Sequence, residues 1–458
     1  MRVILIASAA ALGGFLFGFD TAVINGAVDA LRQSFGLSAT LTGFAVSCAL
    51  LGSALGAWYA GRLADRLGRV RTMQVAALLL AAGALGAGLA GSVVSLIIWR
   101  VIAGIGVGIA SVVAPAYIAE ISPAAIRGRL GSLQQLAIVL GIFVALLSDA
   151  WLAGAAGGAS RTIWLGLDAW RWMFVAGVIP AVVYGGLALA VPESPRHLVA
   201  KGRSNDALGV LRKVLGVHDE SALRQKLSDI ENSLRGEHQP AWRDLRGGAG
   251  GLLPIVWVGI VLSIFQQFVG INVIFYYSST LWHSVGFSES NAFAITVATS
   301  VVNVLVTLVA IALVDKIGRR PLLLIGSAGM AVTLAMMAWC FAEATGSGAA
   351  LSLPAPWGPI ALIAANLYVV FFGVSWGPVV WVLLGEMFPN RIRAMALAVA
   401  AAAQWLANFA ITSSFPVMAQ FSLPFSYGVY ALFAVLSLVF VWRFVRETRG
   451  VELENMAS

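Results

Sequence analysis

The 458-residue sequence carries 29 Lys and Arg against 21 Asp and Glu, a formal net charge of +8. Hydrophobic residues make up 60% and charged residues 11%, with a mean hydropathy of +0.89; this excludes an ordinary soluble globule, whose charged share runs near about 25%. The basic residues sit in short loops between apolar runs, so the net charge reports membrane topology and not a nucleic-acid surface.

Twelve runs are long and apolar enough to cross a bilayer as helices: 3–25, 41–61, 72–90, 93–118, 130–153 and 171–191, then 252–284, 290–314, 321–343, 358–385, 394–416 and 425–445. Strict alternation is absent, which argues against a β-barrel, so the expected fold is an all-α membrane protein. Residues 1–20 have the outline of a signal peptide, but 12–24 continue as membrane-like sequence and are read as part of the first span. Asp20 in span one and Arg100 in span four are charges inside the membrane, and such residues are functional candidates because isolated burial is expensive. They lie at matching depths, roughly 7 to 10 Å from the outer helix ends at the helical rise, and are expected to pair. The pair is either structural or a proton switch that opens and closes.

Gly52 and Gly56, like Gly104 and Gly108, have the spacing of close helix contacts; Gly13-Gly14 and Gly377-Pro378 are read as bends in spans one and ten. Cys48 and Cys340 fall in apolar segments and suggest packing, with neither a disulfide nor a metal site. The one long polar stretch separates a six-helix half, 1–193, from a cytoplasmic helical segment, 194–248, and a second six-helix half with a short tail, 249–458. In it, 204–215 and 221–234 read as amphipathic helices capped by Ser204 and Ser221. Of the 29 basic residues, 25 fall on the side that holds both termini and this segment, which makes that side cytoplasmic.

The halves repeat each other. Asp65-Arg66-Leu67-Gly68-Arg69 returns as Asp315-Lys316-Ile317-Gly318-Arg319-Arg320, Glu120 and Arg127 return as Glu386 and Arg393, and Glu193 returns as Glu447. Three matches at offsets of 250, 266 and 254 residues indicate a duplicated unit. The charges read either as separate surface pairs, each worth about 0 to 1 kcal/mol, or as a latch on the cytoplasmic face formed by Arg66, Arg69, Glu120, Arg127 and Glu193 with Arg319, Arg320, Glu386, Arg393 and Glu447.

Span seven contains Gln266-Gln267-Phe268-Val269-Gly270-Ile271-Asn272-Val273-Ile274-Phe275-Tyr276-Tyr277. Unpaired amides are costly in hydrocarbon, so these groups face a partner helix, water or a ligand. On a continuous helix Gln267, Asn272 and Tyr276 share one face.

These loops, with Pro192-Glu193-Ser194-Pro195-Arg196, the Gln-Gln-x-x-Gly-Ile-Asn run and Ser375-Trp376-Gly377-Pro378-Val379-Val380-Trp381, resemble the sugar porter family of the major facilitator superfamily over nearly the whole chain. Within it the likeness is to bacterial D-xylose/proton symporters and the facilitative glucose carriers. Two positions depart from the pattern: His197 stands where an aromatic residue is common, and Arg446 stands where proline begins the last motif. The resemblance implies alternating access; no cofactor or metal is expected, and the protein is expected to work as a monomer in a plasma membrane, a bacterial inner membrane by style of sequence. It implies that Gln135, Gln266, Gln267, Asn272, Asn303, Trp381, Gln404 and Trp405 contact substrate, and that Phe17, Ile142, Phe275, Tyr276 and Tyr277 line or gate the pocket. Amides both donate and accept, matching sugar hydroxyls, and an indole packs on a sugar's apolar face.

An aspartate at position 20 is associated in this family with symport, so the implied activity is import of a monosaccharide with a proton. Ile142 and Phe275 make the pocket less polar, which favours D-glucose or a related hexose over D-xylose. A facilitative uniporter, a drug/proton antiporter and a sugar sensor are the alternatives. An enzyme is not expected, since the four histidines are scattered and no nucleophile-base set or Walker loop is present.

Overall fold

A computed structural model describes residues 2–122, 127–215, 219–236, 242–247, 251–345, 352–389 and 392–448. Through the first six spans run α1 (Arg2–Ala22), α2 (Ile24–Phe35), α3 (Ala39–Leu67), α4 (Arg69–Gly88), α5 (Val93–Ile121), α6 (Arg127–Ala156), α7 (Ala169–Ala176) and α8 (Val178–Ala190), with a hairpin of β1 (Thr162–Trp164) and β2 (Leu167–Asp168) between α6 and α7. The polar segment holds α9 (Pro195–Ala200), α10 (Ser204–Leu215) and α11 (Glu220–Gly236). The last six spans are built from α12 (Pro254–Phe268), α13 (Ile271–Ser284), α14 (Glu289–Ile317), α15 (Arg319–Ala342), α16 (Trp357–Val374), α17 (Trp376–Met387), α18 (Arg393–Phe421) and α19 (Leu423–Phe444). Among the described residues, twelve stretches are long and apolar enough to cross a membrane, the first being Val3–Phe35.

By compactness the described residues of Met1–Thr21, Leu51–Ile142 and Phe174–Gln239 form one unit, and those of Ala22–Leu50, Phe143–Met173 and Pro240–Ser458 another. In the first, glycines bring helix backbones into contact. A Cβ on Gly52 or Gly56 would stand 2.3 or 2.2 Å from the carbonyl oxygens of Val101 and Ile105. Between α1 and α6 the fit is as tight, 1.9 Å from Gly18 to Ile138 O and 2.1 Å from Gly141 to Phe15 O. In the second unit, Trp376 is fully buried and its indole N–H donates to Ser327 at 2.9 Å, which meets Ser437 at 2.9 Å. Small residues thus serve where lipid supplies no hydrophobic drive for helix association.

Several sequence expectations need correction. Span one breaks at Val23 between α1 and α2, not at Gly13-Gly14; those glycines instead admit the Tyr184 phenol and the Gln134 carboxamide, 3.0 and 2.8 Å from where a Cβ would stand. Span seven is not one continuous helix, since Gly270 at φ 88° separates α12 from α13. Span ten breaks at Ser375, two residues before Gly377. In the polar segment the cap of α11 is Asp219, whose carboxylate accepts from the N–H groups of Ser221 and Ala222 at 3.2 and 3.3 Å. The Ser221 hydroxyl donates to the same carboxylate at 2.6 Å, and these bonds hold Asp219 below the usual carboxylate range. The Ser204 hydroxyl donates across to Glu231 at 3.5 Å.

Candidate functional site

The breaks concentrate the polar chemistry. Where α12 ends, the Val269 carbonyl loses its helical donor, and the Tyr368 hydroxyl donates to it at 2.7 Å. The Tyr430 ring fills the space beside Gly270, 2.8 Å from where a Cβ would stand. A left-handed glycine with two tyrosines around it holds the break open in a setting where bare backbone is costly.

Around this break four carboxamides form a chain. Gln266 Nε2 donates to the carbonyls of Trp376 and Gly377 at 2.8 and 3.3 Å, at the start of α17. Its Oε1 accepts from Gln267 Nε2 at 3.4 Å and from Gln404 Nε2 on α18. Asn272 Nδ2 in turn donates to Gln267 Oε1 across the break. Gln404 Oε1 is left without a partner. Gln266 and Gln267 are buried, while Asn272, Gln404 and Trp405 are half-buried. Asn303 is buried on α14 with its carboxamide bonded to no described residue, and Trp381 on α17 is 43% exposed. Such a chain, with open acceptors and donors, presents complementary groups to hydroxyls.

On α13, Phe275, Tyr276 and Tyr277 are buried; the Tyr277 hydroxyl donates to Thr412 O at 2.9 Å and its ring lies 5.0 Å from that of Phe415. Asn25 on α2 inserts into the ladder of α13: its Nδ2 donates to Phe275 O at 2.9 Å and its Oδ1 accepts from Ser279 N at 3.2 Å. The Ser279 hydroxyl returns a bond to Asn25 O at 2.8 Å. Asn25 and Asn408, a buried acceptor for Thr412 at 3.0 Å, were not singled out from the sequence; each is an amide inside an apolar run, which was the available signal.

In the first unit Arg100 and Asp20 meet. Arg100 Nη1 stands 3.5 Å from Asp20 Oδ2 and donates to Asp20 O at 3.2 Å, and its guanidinium lies 5.7 Å from the Phe174 ring centre. Arg100 is 2% exposed and Asp20 9%, while Asp20 Oδ2 accepts no hydrogen bond. Phe17, Gln135 and Ile142 are half-buried, and the Gln135 amide is bonded to no described residue.

The repeated charged motifs build the same object twice. In the first unit Glu193 accepts from the N–H groups of Arg69 and Val70 at 2.9 and 3.2 Å, capping α4, and Arg69 pairs with Glu120 at 2.9 Å. In the second, Glu447 accepts from the N–H groups of Arg319 and Arg320, both at 3.0 Å, capping α15, and Arg319 pairs with Glu386 at 2.7 Å. Gly68 and Gly318, at φ 93° and 104°, leave room for the two carboxylates; a Cβ would stand 2.2 Å from Glu193 and 2.8 Å from Glu447. Burial, aided by the Arg69 and Lys201 cations and opposed by Glu193, holds the neighbouring His197 imidazole below its ordinary value. Arg66 is exposed, Arg393 Nε donates to Phe388 O at 3.1 Å, and the Arg127 side chain lies outside the described residues. A carboxylate at a helix N-terminus contributes about 1 kcal/mol, so Glu193→Gln and Glu447→Gln are each expected to lower the thermal unfolding midpoint in detergent by similar amounts. A fall in only one variant would break the equivalence of the two clusters.

Comparison with known proteins adds three findings. The family described as "Sugar (and other) transporter" matches residues 6–458. A glucose transport protein of Synechocystis sp. is 56% identical over 456 residues, covering 99% of this chain and 97% of that protein; the D-xylose-proton symporter of Escherichia coli (strain K12) is 40% identical over 482 residues, covering 98% and 94%. The partially occluded inward-open structure of the xylose transporter XylE from E. coli is similar with a TM-score of 0.85 at 39% identity, covering 98% of this chain and 99% of that one.

Proposed function

This chain belongs to the sugar transporter family of the major facilitator superfamily, and from that premise we propose that it imports D-glucose or a related hexose together with a proton. Sugar transport is supported by the relatives, one named a glucose transport protein and another a D-xylose-proton symporter. The observation that carries the reading is the chain of carboxamides from Gln404 through Gln266 and Gln267 to Asn272, held at a helix break and ending in an open acceptor. Neutral amides with no fixed charge among them suit a neutral polyol, and the indoles of Trp381 and Trp405 suit a pyranose face. Ile142 and Phe275 keep the lining less polar, which favours a hexose.

Proton coupling rests on Asp20. A buried carboxylate whose cation stands at 3.5 Å takes a proton when the pair parts and releases it when the pair re-forms. One such cycle per sugar gives symport by alternating access of the halves 1–193 and 249–458, with 194–248 between them. The positions of the basic residues support an inner-membrane protein with both termini cytoplasmic, working as a monomer. Adding sugar to a lightly buffered suspension of expressing cells is expected to alkalinise the medium. Uptake of labelled glucose should be competed by hexoses more strongly than by xylose. Sugar uptake without alkalinisation would assign a uniporter, and stronger competition by xylose would reverse the order of substrates.

A further inference from the structure

Asp149, near the outer end of span five, is a second carboxylate inside the apolar bulk and was not singled out from the sequence. It is 0% exposed. Its Oδ2 accepts from the Gly26 N–H at 3.2 Å, and its Oδ1 has no partner. Gly26 is the third residue of α2, whose first N–H groups have no helical acceptor and whose own preceding residue, Val23, supplies no side-chain cap. Asp149 therefore caps the helix that restarts after the break in span one. The contact also demands glycine, since a Cβ on residue 26 would stand 2.7 Å from Asp149 Cβ and 2.8 Å from its carboxylate.

No cation answers this carboxylate among the described residues. On α2, Asp29 stands 3.5 Å from His283 of α13, and Arg32 forms no ion pair with Asp149. Beyond α6, Arg171 lies over Trp170 at 4.4 Å, Asp168 accepts from Thr162 at 3.2 Å, and Glu289 of α14 accepts from Ala159 N at 2.8 Å. The ionised form thus has one N–H and the helix dipole to balance its charge. A proton on Oδ1 removes the charge and leaves the Gly26 bond in place, but as a neutral bond of roughly half the strength.

We propose that Asp149 is a second proton-binding residue of the transport cycle, gripping the first turn of α2 when ionised and loosening it when protonated. The proton binds Oδ1 from water and returns to water; no other covalent bond changes. The next residue back from Gly26 is Asn25, which is spliced into α13 at Phe275 and Ser279, three and seven residues beyond Asn272. Protonation at Asp149 therefore reaches the sugar amides through α2 and one inserted carboxamide. This role rests on the transport reading above, but not on net proton movement.

The test is sugar counterflow in proteoliposomes with equal pH on both sides, stepped from acidic to mildly alkaline pH. Asp149→Asn keeps the shape and an acceptor for Gly26 while losing the ionisation. Its apparent KM is expected to lose a pH-dependent change of about tenfold, the equivalent of one pKa unit of coupling. Gly26→Ala, which forces the carboxyl from α2, is expected to lose the same change, and Asp149→Ser reads it if either variant is unstable. Profiles that superimpose on wild type, or a KM raised equally at every pH, overturn the proposal. If wild type moves no proton with sugar, symport falls while the counterflow profiles still decide the role of Asp149.

Discussion

Asp20→Asn is expected to abolish pH-gradient-driven sugar accumulation, bringing the inside-to-outside ratio to unity, while counterflow continues. Asparagine keeps the size and an acceptor for Arg100 but cannot carry a proton, so the sugar path is spared and the coupling is lost. Breaking the pair from the other side has a different result. Arg100 is 2% exposed, and removing one partner of a buried pair costs about 3 to 5 kcal/mol because the other charge is stranded. Arg100→Ala is therefore expected to lose both accumulation and thermal stability, and Asp20→Asn placed on top of it should recover stability alone. Undiminished uphill uptake by Asp20→Asn, measured with labelled sugar in energised vesicles, would remove Asp20 from the coupling mechanism.

Gln266→Ala should weaken sugar binding by about two orders of magnitude. Gln266 is the hub of the amide chain: it donates to two carbonyls at the start of α17 and accepts from two further amides. Its loss leaves the sugar hydroxyls it would bond without a partner, at about 1 to 3 kcal/mol for each buried polar group left unpaired, and a loss of about 2.8 kcal/mol corresponds to about a hundredfold. Asn272→Ala, at the end of the chain, offers the sugar one hydrogen-bonding group fewer and is expected to cost about tenfold. Calorimetric titration with glucose checks both, and equal affinities for wild type and Gln266→Ala would separate the amide chain from the sugar.

The spans were legible because membrane length and apolar composition are local properties, and the duplicated charges because they recur at fixed offsets. The matched Glu193 and Glu447 are now seen as caps on matched helices, a role that no spacing rule contains. The break at Gly270 has no local signature because its cause is remote: Tyr368 bonds Val269 from 99 residues away, and Tyr430 packs on Gly270 from further still. The role of Asp149 is silent in the sequence for the same reason, since its partner Gly26 lies 123 residues earlier. Local sequence windows show polar groups inside a membrane; only tertiary contacts show which of them are hydrogen-bonded.

The two capped clusters also fix an order of assembly. In each, the carboxylate that caps the helix comes from a residue made more than a hundred positions later, 124 for Glu193 with Arg69 and 128 for Glu447 with Arg319. Synthesis runs from the N-terminus and folding follows it unit by unit, so the first cluster can close while residues beyond 240 are still on the ribosome. The second must wait with α15 uncapped until Glu447 has emerged, and a chain stalled before that residue would present to quality-control proteases a finished first cluster beside an open second one.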